Sequence, residues 1–119
     1  MTYRLTKVFG FEAAHSLPHL PDGHKCKRLH GHSFQIEIIV RGEPDQKMGW
    51  LIDYWDLDKK FEPLFDQLDH RFLNEIPGLE NPTSEILARW IYERLKPDLA
   101  ILREVKISET CMESCTYSE

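Results

Sequence analysis

Several features that mark specialised classes of protein are missing from this chain of 119 residues. It has no apolar run of 18 residues and no charged segment followed by an apolar leader, so we expect neither a membrane span nor secretion. Only three cysteines occur, an odd number at distant positions, which favours reduced thiols in a cytoplasmic protein over a disulfide framework. Because no internal repeat or low-complexity linker divides the sequence, residues 1–119 are expected to form one domain.

The chain also has fewer basic than acidic residues. Fifteen Lys and Arg residues against 20 Asp and Glu residues give a formal net charge of −5, and no long basic face offsets it. A general nucleic-acid partner is therefore not expected. Hydrophobic residues make up 41% and charged residues 29% of the chain, which is ordinary for a globular domain. Any indication of function has to come from the motifs.

Three histidines follow the apolar pattern of two predicted strands. His30 and His32 are two residues apart, so on a strand they share a face with the apolar residues at 34, 36, 38 and 40. His15 has the same relation to Phe9 and Phe11 in a strand over 3–15. Antiparallel pairing brings the three imidazoles together at one end of the sheet. A His-x-His pair alone occurs by chance on surface strands, but three convergent histidines predict a zinc site with one open coordination position.

Cys26 lies in the loop that joins these two strands, just before the histidine pair. Lys25, Lys27 and Arg28 are its neighbours, and positive charge favours the thiolate, which suits a base or nucleophile near neutral pH. A buried structural thiol is the alternative, because this is the usual fate of a free cysteine. Two other loop histidines, His19 and His24, have no strand parity and are not predicted to be ligands.

Two further groups are candidates for chemistry. Asp69 and His70 end the first predicted helix, where a histidine is often only a partner of the helix dipole. If Cys26 lies nearby, His70 can exchange protons with it while Asp69 orients the imidazole, as in a triad. Glu109 continues the apolar parity of a strand over 105–110, so its carboxylate points toward the core. It is interpreted either as a solvated strand end or as the acceptor for a ligand with two parallel N–H donors.

The remaining periodicity predicts two helices. Asp53 is expected to cap the first, and Pro63 should kink or split it. The second is capped by Asn81 or Thr83 and stops before Pro97.

Strands over 105–110 and 115–117 complete the expected order β-β-α-α-β-β. This order predicts an α+β fold with a four-stranded antiparallel sheet and two helices on one face.

Specific motifs recur along nearly the whole chain: FEAAH at 11–15, GHKC at 23–26, RLHGH at 28–32, LDH at 68–70, PGLENPTSE at 77–85 and ET at 109–110. With these motifs the chain resembles the 6-pyruvoyltetrahydropterin synthase family, whose members have the tunnelling fold (T-fold). None of the motif residues departs from the family pattern. The resemblance therefore implies an α+β T-fold and a pterin substrate.

The resemblance also implies roles for individual residues. It implies that the three histidines hold zinc, that Cys26 is the general base, and that Asp69 and His70 complete a proton relay. Glu109 is implied as the anchor of the pterin ring. Lys27 has no role in the family pattern, and we expect it to help hold the triphosphate of the substrate.

The spacing of Cys26 and the histidine pair is typical of one branch of the family. That branch converts 7,8-dihydroneopterin triphosphate to 6-carboxytetrahydropterin, with loss of acetaldehyde and triphosphate, in queuosine biosynthesis. The resemblance further implies a homo-oligomer of two stacked trimers with active sites between subunits. Three alternatives remain: a pyruvoyl-type synthase, a non-catalytic pterin- or metal-binding module, and a zinc hydrolase, although a hydrolase does not need the thiol.

Overall fold

The computed structural model describes residues 2–119, which form one five-stranded sheet carrying two helices on one face. The order of strands across the sheet is β3-β1-β2-β4-β5. In chain order the elements are β1 (Tyr3–His15), β2 (His30–Gly42), α1 (Tyr54–Leu68), β3 (Arg71–Phe72), α2 (Ser84–Leu95), β4 (Leu102–Thr110) and β5 (Glu113–Ser118). Short 3-10 helices span Lys25–Lys27, Leu73–Glu75 and Lys96–Asp98.

The parity predicted for the first two strands is confirmed. β1 and β2 pair antiparallel, with His15 opposite His30. Phe11 and Phe34 stack with their ring centroids 5.0 Å apart, and both are buried beneath the helices. Side chains that alternate with them face away from the helices, as expected for a sheet with one buried face. His32 therefore lies on the buried side with His15.

The two helices begin at capped residues. Asp53 accepts a hydrogen bond from Trp55 N at 3.0 Å, as predicted. Pro63 does not split α1, which is one continuous helix over Tyr54–Leu68, and its side chain is exposed. Of the two predicted caps for α2, Thr83 is the one observed, accepting from Ile86 N at 3.2 Å. No helix within residues 2–119 is long and apolar enough to cross a membrane.

The expected α+β class is confirmed, but the sheet has one strand more than predicted. β3 is only two residues long and runs parallel to β1, pairing Arg71 with Ala13 and Phe72 with Ala14. The chain enters it through His70, whose φ of +59° is in the left-handed region and whose N–H donates to Glu12 O at 2.6 Å. A strand of two residues is too short to show a period in the sequence.

Candidate metal centre and catalytic groups

The three predicted metal ligands converge where β1 stops and β2 starts. One ligand atom from each of His15, His30 and His32 lies within 4.8 Å of the others. The rings meet edge to face, with centroid distances of 4.6, 5.1 and 5.0 Å. Nitrogens this close together can all bind one small cation. In zinc sites the distance from the ion to each histidine nitrogen is about 2.0–2.1 Å.

Hydrogen bonds to backbone carbonyls aim two of these rings. His15 Nδ1 donates to Pro82 O at 3.0 Å, and His30 Nδ1 donates to Arg28 O at 2.7 Å. When Nδ1 carries the proton, the lone pair is on Nε2, which is how metal-binding histidines are normally oriented. The carbonyl partners therefore prepare both rings to bind through Nε2.

The Nε2 atom of His15 has no hydrogen-bond partner among the described residues, although the side chain is fully buried. Burying a polar atom without a hydrogen-bond partner lowers the stability of the folded protein, so such atoms are uncommon. A divalent cation bound by the three imidazoles would be coordinated by this nitrogen. The residues present thus fit a zinc-type ion.

Burial also keeps His15 in the neutral form that binds a metal. Desolvation lowers the pKa of its imidazole and outweighs the hydrogen bond to the Pro82 carbonyl, which raises that pKa. Phe34 contributes to the apolar surroundings, because its ring centroid lies 5.4 Å from those of both His15 and His32. Protons therefore compete weakly with a cation for His15.

Glu109 lies next to this centre at the end of β4, where the pairing with β5 shifts register between Ser108 and Thr110. Its Oε1 accepts a hydrogen bond from Ser84 Oγ at 3.0 Å, and its Oε2 lies 3.6 Å from His32 Nε2. Only 21% of the side chain is exposed. Ser84 was not predicted, because its contact with Glu109 depends on how α2 packs against the sheet.

Asp69 and His70 form a hydrogen-bonded pair held against β1. His70 Nδ1 donates to Asp69 Oδ2 at 2.7 Å, while Glu12 N donates to Asp69 Oδ1 at 2.9 Å. The Glu12 amide, followed by the bond from His70, lowers the pKa of the Asp69 carboxyl. The His70 side chain is 77% exposed and, with His32, lines a cavity of about 530 Å³. Its Nε2 is therefore accessible to a ligand, while Asp69 fixes the ring.

Cys26 is a half-buried free thiol on the 3-10 helix Lys25–Lys27. His24 caps this helix, its Nδ1 accepting from Cys26 N at 3.0 Å, which gives a role to a histidine left out of the predicted ligands. Within residues 2–119 no hydrogen bond joins Cys26 to His70. The ammonium of Lys27 pairs with the exposed carboxylate of Asp22.

Known proteins resemble this chain over most of its length. A family model described as 6-pyruvoyl tetrahydropterin synthase matches residues 4–119. A protein of Synechocystis sp. named 6-carboxy-5,6,7,8-tetrahydropterin synthase is 41% identical over 117 residues, covering 93% of this chain and 89% of that protein. A Pyrococcus furiosus protein named dihydroneopterin monophosphate aldolase is 37% identical over 99 residues, covering 83% of this chain and 80% of that protein.

A solved structure gives the same result for the fold. Caenorhabditis elegans 6-pyruvoyl tetrahydropterin synthase superposes with a TM-score of 0.92 at 30% sequence identity, covering 100% of this chain and 96% of that one. The family expected from the motifs is confirmed, and the chain belongs to the 6-pyruvoyl tetrahydropterin synthase family.

Proposed function

We propose that this family member is a zinc-dependent lyase that converts 7,8-dihydroneopterin triphosphate to 6-carboxytetrahydropterin, acetaldehyde and triphosphate in queuosine biosynthesis. The observation that carries the proposal is the cluster of His15, His30 and His32 with a thiol four residues before His30. A chain that is 41% identical to a protein named 6-carboxy-5,6,7,8-tetrahydropterin synthase supports the choice of reaction.

The reaction balances with one molecule of water as the only co-substrate. The carbon attached to the ring is oxidised to a carboxylate, while the dihydropterin ring gains two electrons and becomes a tetrahydropterin. The oxidation and the reduction occur within one substrate, so no external reductant is required. The enzyme needs only to bind the pterin, polarise its side-chain oxygens and move protons.

The zinc ion, held by the three histidines, would act as a Lewis acid toward the side-chain oxygens of the substrate. Glu109 binds the pterin ring by accepting two parallel N–H groups with its carboxylate. The hydrogen bond from Ser84 Oγ at 3.0 Å supports this role, because it limits the rotation of the carboxylate. Glu109 lies beside His32, so a pterin ring bound to Glu109 lies next to the metal centre.

Proton movement is assigned to the thiol and the relay. Cys26 takes a proton from the substrate side chain as its general base, and the exposed Nε2 of His70 exchanges protons with the reacting groups. Asp69 orients His70 and stabilises its protonated form. The 2.7 Å bond between them supports this division of labour. Lys27 contributes positive charge to the binding of the triphosphate.

The same proposal includes a homo-oligomer, a hexamer of two stacked trimers. In the described chain β3 pairs with only the last part of β1, so no strand pairs with the edge of β1 over residues 4–11 or with the outer edge of β5. Pairing of β1 with β5 of another copy is a head-to-tail contact that closes into a ring. A second copy would also bring its Asp69 and His70 to Cys26, which has no hydrogen bond to His70 within the described chain.

Three other functions are the alternatives. The C. elegans structure favours a pyruvoyl-type synthase, which keeps all the side-chain carbons. The P. furiosus relative favours an aldolase, which cleaves the side chain without reducing the ring. A non-catalytic pterin-binding module needs only Glu109 and its surroundings, so it leaves Cys26, Asp69 and His70 without a role.

The test is a product assay with matched cysteine variants. Zinc-loaded protein is incubated with 7,8-dihydroneopterin triphosphate, the pterin is identified by mass spectrometry and acetaldehyde is quantified. We expect 6-carboxytetrahydropterin from the wild type, at least 100-fold slower turnover in Cys26→Ser, roughly as for loss of a general base, and little change in Cys115→Ser on β5. A pyruvoyl product or a ring that stays oxidised refutes the lyase reaction, and full activity in Cys26→Ser refutes the role of the thiol.

A further inference from the structure

The carboxamide of Asn74 makes three hydrogen bonds next to the metal centre. Asn74 lies in the 3-10 helix Leu73–Glu75 that follows β3. Its Oδ1 accepts from Ser16 N at 2.9 Å, and its Nδ2 donates to Ser16 O at 2.8 Å. Nδ2 also donates to Glu80 O at 3.3 Å. One side chain therefore binds two separate stretches of backbone.

The first of these stretches is the end of β1. The regular pairing of β1 with β3 covers Ala13 and Ala14, while β1 itself ends at His15. Ser16 follows immediately, and its backbone N–H and C=O need partners because it is partly buried. The amide of Asn74 supplies both partners, as a further residue of β3 would. It thus extends the pairing beyond His15 and fixes the backbone on the C-terminal side of this ligand.

The second stretch carries the acceptor that orients the imidazole. Glu80 is two residues before Pro82, whose carbonyl accepts from His15 Nδ1 at 3.0 Å. Thr83 N donates to Asn81 O at 2.9 Å, so the backbone around Pro82 is itself held in a turn. Asn74 therefore connects the backbone beside His15 to the segment that sets the direction of its ring.

We propose that Asn74 is a positioning residue for the metal ligand His15. It keeps the backbone of His15 and the carbonyl of Pro82 in the relative positions that aim Nε2 at the ion. An amide is required, because only a donor and an acceptor on one planar group satisfy both backbone atoms of Ser16. The inference rests on the proposed metal function of the three histidines.

The experiment measures zinc affinity by competition with a chromophoric chelator, together with the Tm of the metal-free protein. Wild type is compared with Asn74→Ala, Asn74→Asp and the control Ile38→Val, a conservative core substitution in the middle of β2. Loss of groups that orient a ligand typically lowers metal affinity about 10- to 100-fold, and we expect a loss in this range for Asn74→Ala. Ile38→Val is expected to lower the Tm and leave the affinity within about 2-fold, because it does not touch the ligands.

Asn74→Asp separates positioning from charge. A carboxylate keeps the acceptor for Ser16 N but loses both donated bonds, and its negative charge attracts a cation. Positioning therefore predicts weaker zinc binding than in the wild type, whereas a purely electrostatic influence predicts tighter binding. The absorption spectrum of the cobalt-loaded protein should also change in both Asn74 variants, because the angle of one ligand changes.

The outcomes are distinguishable. Unchanged zinc affinity in Asn74→Ala with a lowered Tm makes Asn74 a purely structural residue and overturns the inference, as does tighter binding in Asn74→Asp. If the wild type binds no zinc, or binds it equally well after His15→Ala, the proposed metal centre fails instead. Weaker binding in both Asn74 variants, with normal affinity in Ile38→Val, supports the inference.

Discussion

His15 Nδ1 donates to the carbonyl oxygen of Pro82, 67 residues later in the chain, across 3.0 Å in a buried position. This contact joins the end of β1 to the segment that leads into α2. It leaves Nε2 of His15 facing the other two histidines, with no hydrogen-bond partner among residues 2–119. The orientation of the His15 ring is thus set by tertiary structure. A bound cation would account for this orientation, because Nε2 would be one of its ligands.

Zinc should stabilise the folded protein through the histidine cluster. A ligand that binds only the native state at 100 times its Kd adds about 2.7 kcal/mol, which is a rise in Tm of roughly 10 °C for a domain of this size. We expect this rise on adding zinc to metal-free protein, measured by calorimetry. His30→Ala should abolish it, and His19→Ala, in the exposed loop, should retain it. A full shift in His30→Ala would place the ion elsewhere.

Asp69 should contribute stability that depends on pH. Its pKa is held below the ordinary value of 3.8 by the bonds from Glu12 N and from His70. The pKa of Asp69 is therefore lower in the folded protein than in the unfolded chain. The stabilisation is fully present at pH values above the pKa of the unfolded chain, and it is lost as the pH falls through the pKa of the folded protein. The Tm difference between wild type and Asp69→Asn should therefore be constant near neutral pH and shrink below pH 3.8.

The control for this measurement is Asp66→Asn, at an exposed position on α1. It is expected to change the Tm little at any pH. If the difference for Asp69→Asn is the same in acid as at neutral pH, ionisation of Asp69 does not stabilise the fold.

Glu109→Gln should weaken productive binding of the pterin. The amide keeps the size of the side chain but replaces one acceptor of a two-point contact with a donor. Loss of a charge-assisted pair costs roughly 100-fold in kcat/KM, and we expect much of it in KM. Glu104→Gln, on the same strand and paired with Arg4 at 2.8 Å, is the control and should stay near wild type. Steady-state kinetics with an unaltered KM in Glu109→Gln would contradict the anchor role.

Lys27→Ala should raise KM for the triphosphate substrate. A solvated lysine contact is worth little, so the expected increase is about 3- to 10-fold, and added salt should reduce it. Lys47→Ala, in the loop after β2, changes the net charge equally and should leave KM unaltered. If Lys27→Ala changes neither kcat nor KM, this residue does not bind the triphosphate.

The sequence predicts those contacts that follow directly from the periodicity of a strand or helix. Strand parity alone was sufficient to bring His15, His30 and His32 together, because antiparallel pairing converts parity into a shared face. β3 was not predictable, since two residues have no period and its position depends on the left-handed turn at His70. The bonds of Ser84 and Asn74 were also missed, because each reaches a distant element through a polar group that leaves no periodic signal.

The measurement that tests the central claim most directly is the stoichiometry of products formed by the zinc-loaded protein from 7,8-dihydroneopterin triphosphate. The pterin is identified by its mass, and acetaldehyde and triphosphate are quantified in the same reaction. The proposed lyase predicts 6-carboxytetrahydropterin, acetaldehyde and triphosphate in equal amounts. A tetrahydropterin that retains every side-chain carbon, with triphosphate but no acetaldehyde, contradicts the account and makes the protein a pyruvoyl-type synthase.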